Sequence, residues 1–286
     1  MKFISTIYEL KNLEKISKYT AGFVVGLKSF STSETALFTF AEFKAISKFC
    51  KANNKELFIS LKPLLHNSQI ESLTISFKLI KDLYYSGVIV GDRGYYYLLK
   101  ELGIKNIIYN PETLLTNVFD VNEVFRSGMS GAVIAKEISL KDLKEIIKNK
   151  EGQLFIVGHG HLKMFYSKRA LLKNYFSKIA FQYDYNKDTI RLKEKSRESL
   201  YPIIEDEFGT HIFRSEVSTT LYNLAELKGI DYLIIDSIFH DDDYAYEVLK
   251  LFKEGPNKTK IEDLKNKYNE QWDSGFLFTK TIYKRD

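Results

Sequence analysis

The segment QLFIVGHGH, residues 153–161, begins as a short apolar run and ends in glycine and histidine. A run of this length, bounded by polar residues, is typical of a buried strand in a parallel sheet. Segments with apolar residues at three- and four-residue spacing separate it from similar runs. These runs are GFVVGL (22–27), ELFISL (56–61), GVIVGD (87–92), NIIYN (106–110), GAVIAKE (131–137) and DYLIID (231–236). Alternating strands and helices predict an α/β fold with a parallel sheet.

The number of strands favours a closed barrel. With the N-terminal KFISTIYEL (2–10) there are eight candidate strands, the number that closes a TIM-like (β/α)8 barrel. Spacing alone does not show closure, so an open doubly wound sheet remains an alternative. Residues 178–215 alternate polar with apolar side chains, which predicts a small antiparallel β insertion before the last barrel strand. We therefore expect a barrel from 1–177 and 216–286, and GFLFTKTIYKRD (275–286) is compatible with a closing strand.

Composition limits the classes of function. The chain has 286 residues, 44% of them hydrophobic, and a net charge of +5, as in an ordinary globular protein. No apolar stretch approaches the roughly 20 residues of a membrane span, so we expect a cytoplasmic protein without a membrane partner. Cys50 is the single cysteine and shares a helical face with Phe43 and Ile46, which indicates a buried structural thiol. Iron–sulfur clusters are held by about four cysteines, so no cluster is expected.

Polar residues at the strand ends are candidates for chemistry, because barrel enzymes react at the C-terminal ends of their strands. We predict that Glu137, His159, Asp92 and Asp236 are catalytic. Lys62, His66 and Asn110 extend this polar rim. A cap at the start of the next helix explains Asp92 and Asp236 equally well.

The pair His159 and His161 raises the question of a metal. Side chains two apart on a strand point the same way, so both rings could meet one ion. No third ligand follows at motif spacing, and we therefore predict no metal. The run HDDDY (240–244) has the content of a cation site, but it is more simply an acidic start to the following helix.

Basic and aromatic side chains alternate between residues 163 and 178. Lys163, Lys168, Arg169 and Lys173 are predicted RNA-binding residues, because single-stranded RNA needs cations for phosphates and rings for stacking. A solvated helix with an aromatic inner face gives the same pattern. The sequence has no glycine-rich phosphate loop and no GxSxG elbow, which excludes the corresponding nucleotide hydrolases and serine esterases.

The stretch LFIVGHGHLKMFYSKRALLKNY (154–175) resembles the signature of the bacterial collagenase-like peptidases, family U32. It places His159 and Gly160 on the signature His-Gly, and Tyr166 and Ser167 on its Tyr-Ser. Other segments resemble further family motifs and place His66, Asp92, Asn117, Glu137 and Asp236 in them. From this resemblance we predict that His66, Asn117, His161, Tyr166 and Ser167 bind a ligand.

The departures from the signature bear on function. Lys163 and Ala170 occupy its two cysteine positions, and a later cysteine pair is absent. Family members that act as oxygen-independent hydroxylases hold an iron–sulfur cluster on four such cysteines. This chain resembles a cysteine-poor subgroup that is paired with a cysteine-bearing paralogue and is implicated in hydroxylating the wobble uridine of tRNA.

The resemblance therefore implies an accessory subunit in 5-hydroxyuridine formation, with the paralogue and tRNA as partners and a small organic acid such as prephenate as ligand. Two alternatives remain at this stage. The first is a collagenase-like peptidase in which Glu137 or Asp236 activates water. The second is a non-catalytic pseudoenzyme that stabilises the paralogue.

Overall fold

A computed structural model describes residues 1–28, 30–64, 66–182, 190–195 and 198–279. The strands are β1 (Lys2–Thr6), β2 (Gly22–Leu27), β3 (Leu37–Phe38), β4 (Glu56–Leu61), β5 (Gly87–Val90), β6 (Ile107–Tyr109), β7 (Gly131–Val133), β8 (Gln153–Ser167), β9 (Ile190–Lys193), β10 (Leu200–Asp206), β11 (Gly209–Thr219), β12 (Tyr232–Ile235) and β13 (Trp272–Asp273). The helices are α1 (Leu13–Ser17), α2 (Phe40–Ala52), α3 (Ile70–Ile80), α4 (Arg93–Glu101), α5 (Val118–Arg126), α6 (Leu140–Asn149), α7 (Leu171–Lys178), α8 (Asp242–Glu254) and α9 (Lys258–Tyr268).

Eight parallel strands close into a barrel. Their order is β1, β2, β4, β5, β6, β7, β8 and β12, each hydrogen-bonded to the next. The last strand closes the ring, since Tyr232 of β12 is paired with Phe155 of β8 on one side and with Lys2 of β1 on the other. The predicted (β/α)8 barrel is confirmed, and the open sheet is excluded.

Local sequence signals start the helices around the barrel. Thr39 caps α2 and forms a capping box with Glu42, whose carboxylate accepts a hydrogen bond from the Thr39 backbone. Ser139 caps α6 and Asp241 caps α8 in the same general way. The apolar faces of these helices pack against strand side chains on the outside of the barrel, and together they form the larger of two buried clusters.

A second apolar cluster fills the barrel interior. Phe155 stacks on Tyr232 with ring centroids 4.3 Å apart, and Phe58 meets both rings edge-on at 5.5 and 5.4 Å. Every barrel strand contributes to this layer, through Ile4, Val24, Phe58, Ile89, Ile108, Val133, Phe155, Tyr232 and Ile234. The barrel is therefore packed rather than hollow.

Strand β8 continues past the barrel into an outer sheet. Its first half runs parallel to β7 and β12, and its second half pairs antiparallel with β11, which pairs with β10 and then β9. Gly160 lies at the transition with φ +141°, where a Cβ would come 2.6 Å from the Asp236 carbonyl oxygen. Only glycine combines that backbone angle with so close an approach.

The outer sheet confirms the predicted antiparallel β insertion. The predicted boundary at residue 215 falls inside β11, which is bonded to β8 on both sides of that point. Residues 183–189 and 196–197 of the insertion lie outside the described residues. In the predicted closing strand, residues 275–278 form turns, and 280–286 also lie outside the description.

Among the residues described, no helix combines the length and the apolar character needed to cross a membrane.

We predict that Phe155→Ala lowers the free energy of unfolding by about 3–5 kcal/mol, because it removes a fully buried ring from the interior layer. The control is Phe119→Ala in α5, whose side chain is 81% exposed, and its effect should stay within about 0.5 kcal/mol. Urea unfolding followed by circular dichroism measures both values. Equal losses would contradict this account of the interior.

Candidate functional site

Oppositely charged side chains fill the mouth of the barrel. The Lys163 ammonium lies 2.8 Å from a Glu34 carboxylate oxygen and 2.8 Å from a Glu112 oxygen. Lys62 contacts the other Glu34 oxygen at 3.1 Å, and Lys136 approaches Glu112 at 3.5 Å. Glu34 is 2% exposed and Lys163 8% exposed, so this is a buried ion network and not a surface one.

The network holds its carboxylates ionised. Burial opposes the charge on Glu34, but Lys163, Lys62 and His211 outweigh it and hold the pKa of this carboxyl well below its usual range. Burial likewise lowers the pKa of Lys62, but Glu34 and Glu112 outweigh it and the net shift is upward. The charged states of Glu34 and Lys62 therefore depend on each other.

His211 extends the network towards the outer sheet. Its Nδ1 lies 3.1 Å from Glu34, and its Nε2 lies 3.3 Å from Asp206. Burial lowers the pKa of His211, but these two carboxylates outweigh it and leave the pKa raised. The imidazolium form is thereby favoured between two acids.

Asp236 differs from the other acids of the mouth, because its pKa is raised and not lowered. Burial raises the pKa of Asp236 to about 6, although Lys62 and a hydrogen bond from the Ile238 backbone N–H pull it down. A carboxyl group with this pKa can exchange a proton near neutral pH. It is the strongest proton-transfer candidate among the predicted catalytic residues.

Little empty space remains in the mouth. One cavity of about 30 Å³ is bordered by Asp236, Lys163 and His161. A neighbouring cavity of about 90 Å³ is bordered by Tyr166 and His211. Sites for small molecules are commonly about 300–1,000 Å³, whereas these spaces suit water. The side chains of the protein itself occupy the place where a substrate would enter.

Three residues of the predicted catalytic and ligand-binding sets lie around these cavities. Asp236 and His161 border the first one, and Tyr166 borders the second. The Tyr166 hydroxyl donates to the Phe208 carbonyl at 2.8 Å, and its ring stacks on His211 at 5.0 Å. The mouth therefore brings together residues from the predicted catalytic and ligand-binding sets.

Other predicted residues lie elsewhere. Glu137 is exposed in a cleft between α6 and residues 277–279, while its neighbour Lys136 points into the mouth. Asp92 caps α4 by accepting from the Gly94 N–H at 2.7 Å, and Asn117 caps α5 by accepting from the Asp120 N–H. The sequence allowed either a catalytic role or a helix cap for Asp92, and the structure shows the cap.

His159 is buried away from the mouth cavities. Its Nε2 lies 2.8 Å from the Tyr244 hydroxyl, which in turn lies 2.7 Å from Glu270. Because the carboxylate can only accept, Tyr244 donates to Glu270 and accepts from His159. Burial lowers the pKa of His159 to about 3, so the ring is neutral. The arrangement suits a positioning role.

The predicted RNA-binding residues divide into two sets. Lys168 and Arg169, just before α7, and Lys173, within it, are exposed, and in the sequence they lie between the exposed rings of Phe165 and Tyr175. His66 and Ser167 adjoin this surface, since Lys168 Nζ lies 2.6 Å from His66 Nε2 and Ser167 Oγ accepts from the Arg169 N–H. Lys163 does not belong to it, because its ammonium is held inside the mouth.

Sequence reasoning missed Glu34, Glu112 and His211. The two glutamates come from the loops after β2 and β6, not from strand ends, and His211 comes from the outer sheet. Glu112 has φ +67°, a left-handed conformation that is uncommon for residues other than glycine. A local pattern does not reveal such loop positions, because long-range packing decides where they point.

The sequence profile of peptidase family U32 matches residues 9–284. The chain belongs to peptidase family U32. The resemblance inferred from the sequence signature is thereby confirmed.

Two individual relatives are informative. The chain is 26% identical over 293 residues to tRNA hydroxylation protein P2 of Bacillus subtilis (strain 168), covering 95% of each protein. The solved structure of the U32 peptidase Mk0906 aligns with a TM-score of 0.53 at 14% identity, covering 82% of this chain and 92% of that one. At that identity the structural likeness shows the fold alone.

We predict that Lys163→Met destabilises the protein by about 3–5 kcal/mol, because Glu34 and Glu112 would stay buried without their shared cation. Adding Glu34→Gln and Glu112→Gln should not restore the loss, because Lys62 and Lys136 would then be buried without the carboxylates that they contact. Urea unfolding gives the three free energies. The control is Lys178→Met, an exposed lysine, with an expected change below about 0.5 kcal/mol.

We also predict that Asp236→Asn stabilises the protein at pH 7.5 by about 2 kcal/mol. The pKa of Asp236 is about 6 in the folded state, above that of an unfolded aspartate, so ionisation opposes folding as pH rises between the two values. The gain should shrink as pH falls towards 4 and vanish below it. Thermal unfolding of both proteins from pH 4 to 8 tests this; a pH-independent gain would contradict it.

Proposed function

We propose that this U32 protein takes part in hydroxylating the wobble uridine of tRNA, as an accessory subunit that works together with a cysteine-bearing paralogue. The observation that carries the proposal is the match over 95% of both chains to a protein named for tRNA hydroxylation. The match is end to end, so it does not come from one shared motif.

The state of the single thiol supports the proposal that the paralogue supplies the cluster. Cys50 is fully buried in α2, and burial raises the pKa of its thiol to about 12. Cluster ligands are thiolates, so this group is poorly suited to bind iron. At a signature cysteine position, Lys163 forms ion pairs instead.

The surface at the start of α7 suits contact with tRNA. Lys168, Arg169 and Lys173 are three exposed cations that lie in the sequence between two exposed rings, those of Phe165 and Tyr175. Cations neutralise phosphates, and rings stack on unpaired bases such as those of an anticodon loop. We propose this surface, without Lys163, as the RNA contact.

A small organic acid such as prephenate would bind in the mouth only after a rearrangement. Lys62, Lys136 and Lys163 are the cations that its carboxylates would meet, but Glu34 and Glu112 occupy them. The acid would therefore take over contacts that these glutamates now make. Binding of this kind would be accompanied by movement of the loops after β2 and β6.

Proteolysis is less well supported. Glu137, one of the two acids that would activate water, lies outside the mouth, and Asp236 faces a cavity of about 30 Å³. A peptide does not fit such a space. Cleavage of gelatin by the purified protein, abolished by Asp236→Asn, would reverse this preference.

We predict that deleting the gene lowers 5-hydroxyuridine derivatives in total tRNA, measured by mass spectrometry of nucleosides under matched oxygen supply. Restoring the gene with Lys168, Arg169 and Lys173 changed to Ala should recover only a small part of the modification. A matched variant with Lys18, Lys51 and Lys258 changed to Ala removes the same charge from other exposed positions and should recover it fully.

An unchanged nucleoside profile on deletion would refute the tRNA role. Full recovery by the Lys168, Arg169 and Lys173 variant would refute the RNA surface. Full recovery by that variant and by Asp236→Asn, together with co-purification of the paralogue, would favour the pseudoenzyme alternative.

A further inference from the structure

We propose that His161, His240 and Glu270 bind a divalent transition-metal ion of the Zn²⁺ or Fe²⁺ class. One ligand atom from each residue lies within 4.8 Å of the other two. The three residues come from β8, from the loop before α8 and from the loop after α9. Two imidazoles and one carboxylate, with further positions open, form a ligand set that proteins use for both ions.

The hydrogen bonds of the two histidines direct Nε2 of each ring to the site. His161 Nδ1 lies 2.8 Å from the Arg214 carbonyl oxygen, and His240 Nδ1 lies 3.0 Å from the Ile238 carbonyl oxygen. A carbonyl only accepts, so both Nδ1 atoms carry hydrogen. This contact from the far nitrogen to a carbonyl fixes the tautomer that metal-binding histidines use. Among the described residues, His161 Nε2 has no hydrogen-bond partner.

The Glu270 carboxylate is also held in place by hydrogen bonds. One oxygen of Glu270 accepts from the Tyr244 hydroxyl at 2.7 Å and from the Trp272 indole N–H at 2.6 Å. Its other oxygen lies 2.8 Å from His240 Nε2 and is the atom left for an ion. A bound ion would replace the proton in that contact. Each of the three ligands thus has an outer partner that holds it in place.

The buried His159 supports the proposed metal site indirectly. Its Nε2–H donates to Tyr244, which holds Glu270, so His159 supports the carboxylate through one intervening hydroxyl. His159 and His161 both reach this cluster, since His159 contacts Tyr244, which stacks on His240, and the His161 and His240 rings lie 5.9 Å apart. One ring is a ligand and the other is a positioning residue for a second ligand.

The site has an open side and a strained neighbour. A cavity of about 280 Å³ reaches His161, His240 and Glu270, which leaves room for water or a ligand atom on the ion. Phe239, next to His240, has φ +71°, a left-handed conformation that is rare for a bulky side chain. Such strain is tolerated where the surroundings hold a residue in a required place.

The test titrates full-length, chelator-treated protein with Zn²⁺ by calorimetry and with Co²⁺ by visible absorption. We expect one equivalent to bind the wild type and to raise its unfolding temperature. His161→Asn, His240→Asn and Glu270→Gln should weaken binding by more than about 100-fold, above the loss seen for outer partners. Tyr244→Phe should weaken it by about 10–100-fold.

His66→Asn is the matched control, since His66 is exposed and distant in sequence from the ligands, and it should bind like the wild type. Absence of stoichiometric binding to the wild type, or equal affinity in the three ligand variants, would overturn the proposal. If circular dichroism shows that a variant does not fold, the Co²⁺ spectrum and the Zn²⁺-dependent unfolding temperature of the wild type decide whether the site binds a metal ion. None of these readouts depends on the proposed role in tRNA hydroxylation.

Discussion

The buried contact of Lys163 with Glu34 and Glu112 is the interaction on which the mouth of this barrel depends. Each of these charges would be costly alone in the interior, and each is compensated by the others. Together they tie the loops after β2 and β6 to β8 and fill the space above the apolar layer. The mouth is thus organised by ion pairs where other barrels keep an open pocket for substrate.

Much of the fold was readable from the sequence. The apolar runs predicted the eight barrel strands because strands buried on both faces are continuously apolar, and the alternating segment predicted the outer sheet. The candidate site was only partly readable. Asp236, His161 and Tyr166 lie at the cavities, but Glu34 and Glu112 were missed because loop conformations depend on tertiary packing. Lys136 took the inward place expected for Glu137, since the chain leaves the strand after Val133 and alternation stops there.

The two histidines show why spacing is an incomplete guide to ligands. The sequence offered no third group near His159 and His161, and the expectation of no metal rested on that. The fold brings His240 and Glu270 to His161 from distant positions in the chain. Zinc motifs with short spacing are easy to recognise, whereas ligand sets assembled by a barrel and its C-terminal helices have no local signature.

Closure of the barrel also bears on how the chain folds. Strand β1 is made before all the other strands of the barrel, and its partner β12 comes only after residue 231. Until then β1 keeps one edge unpaired, and β8 awaits both β11 and β12. Contacts between such distant segments slow folding, and unpaired strand edges invite association with other chains. The nascent protein is therefore most vulnerable to aggregation just before its eighth barrel strand emerges.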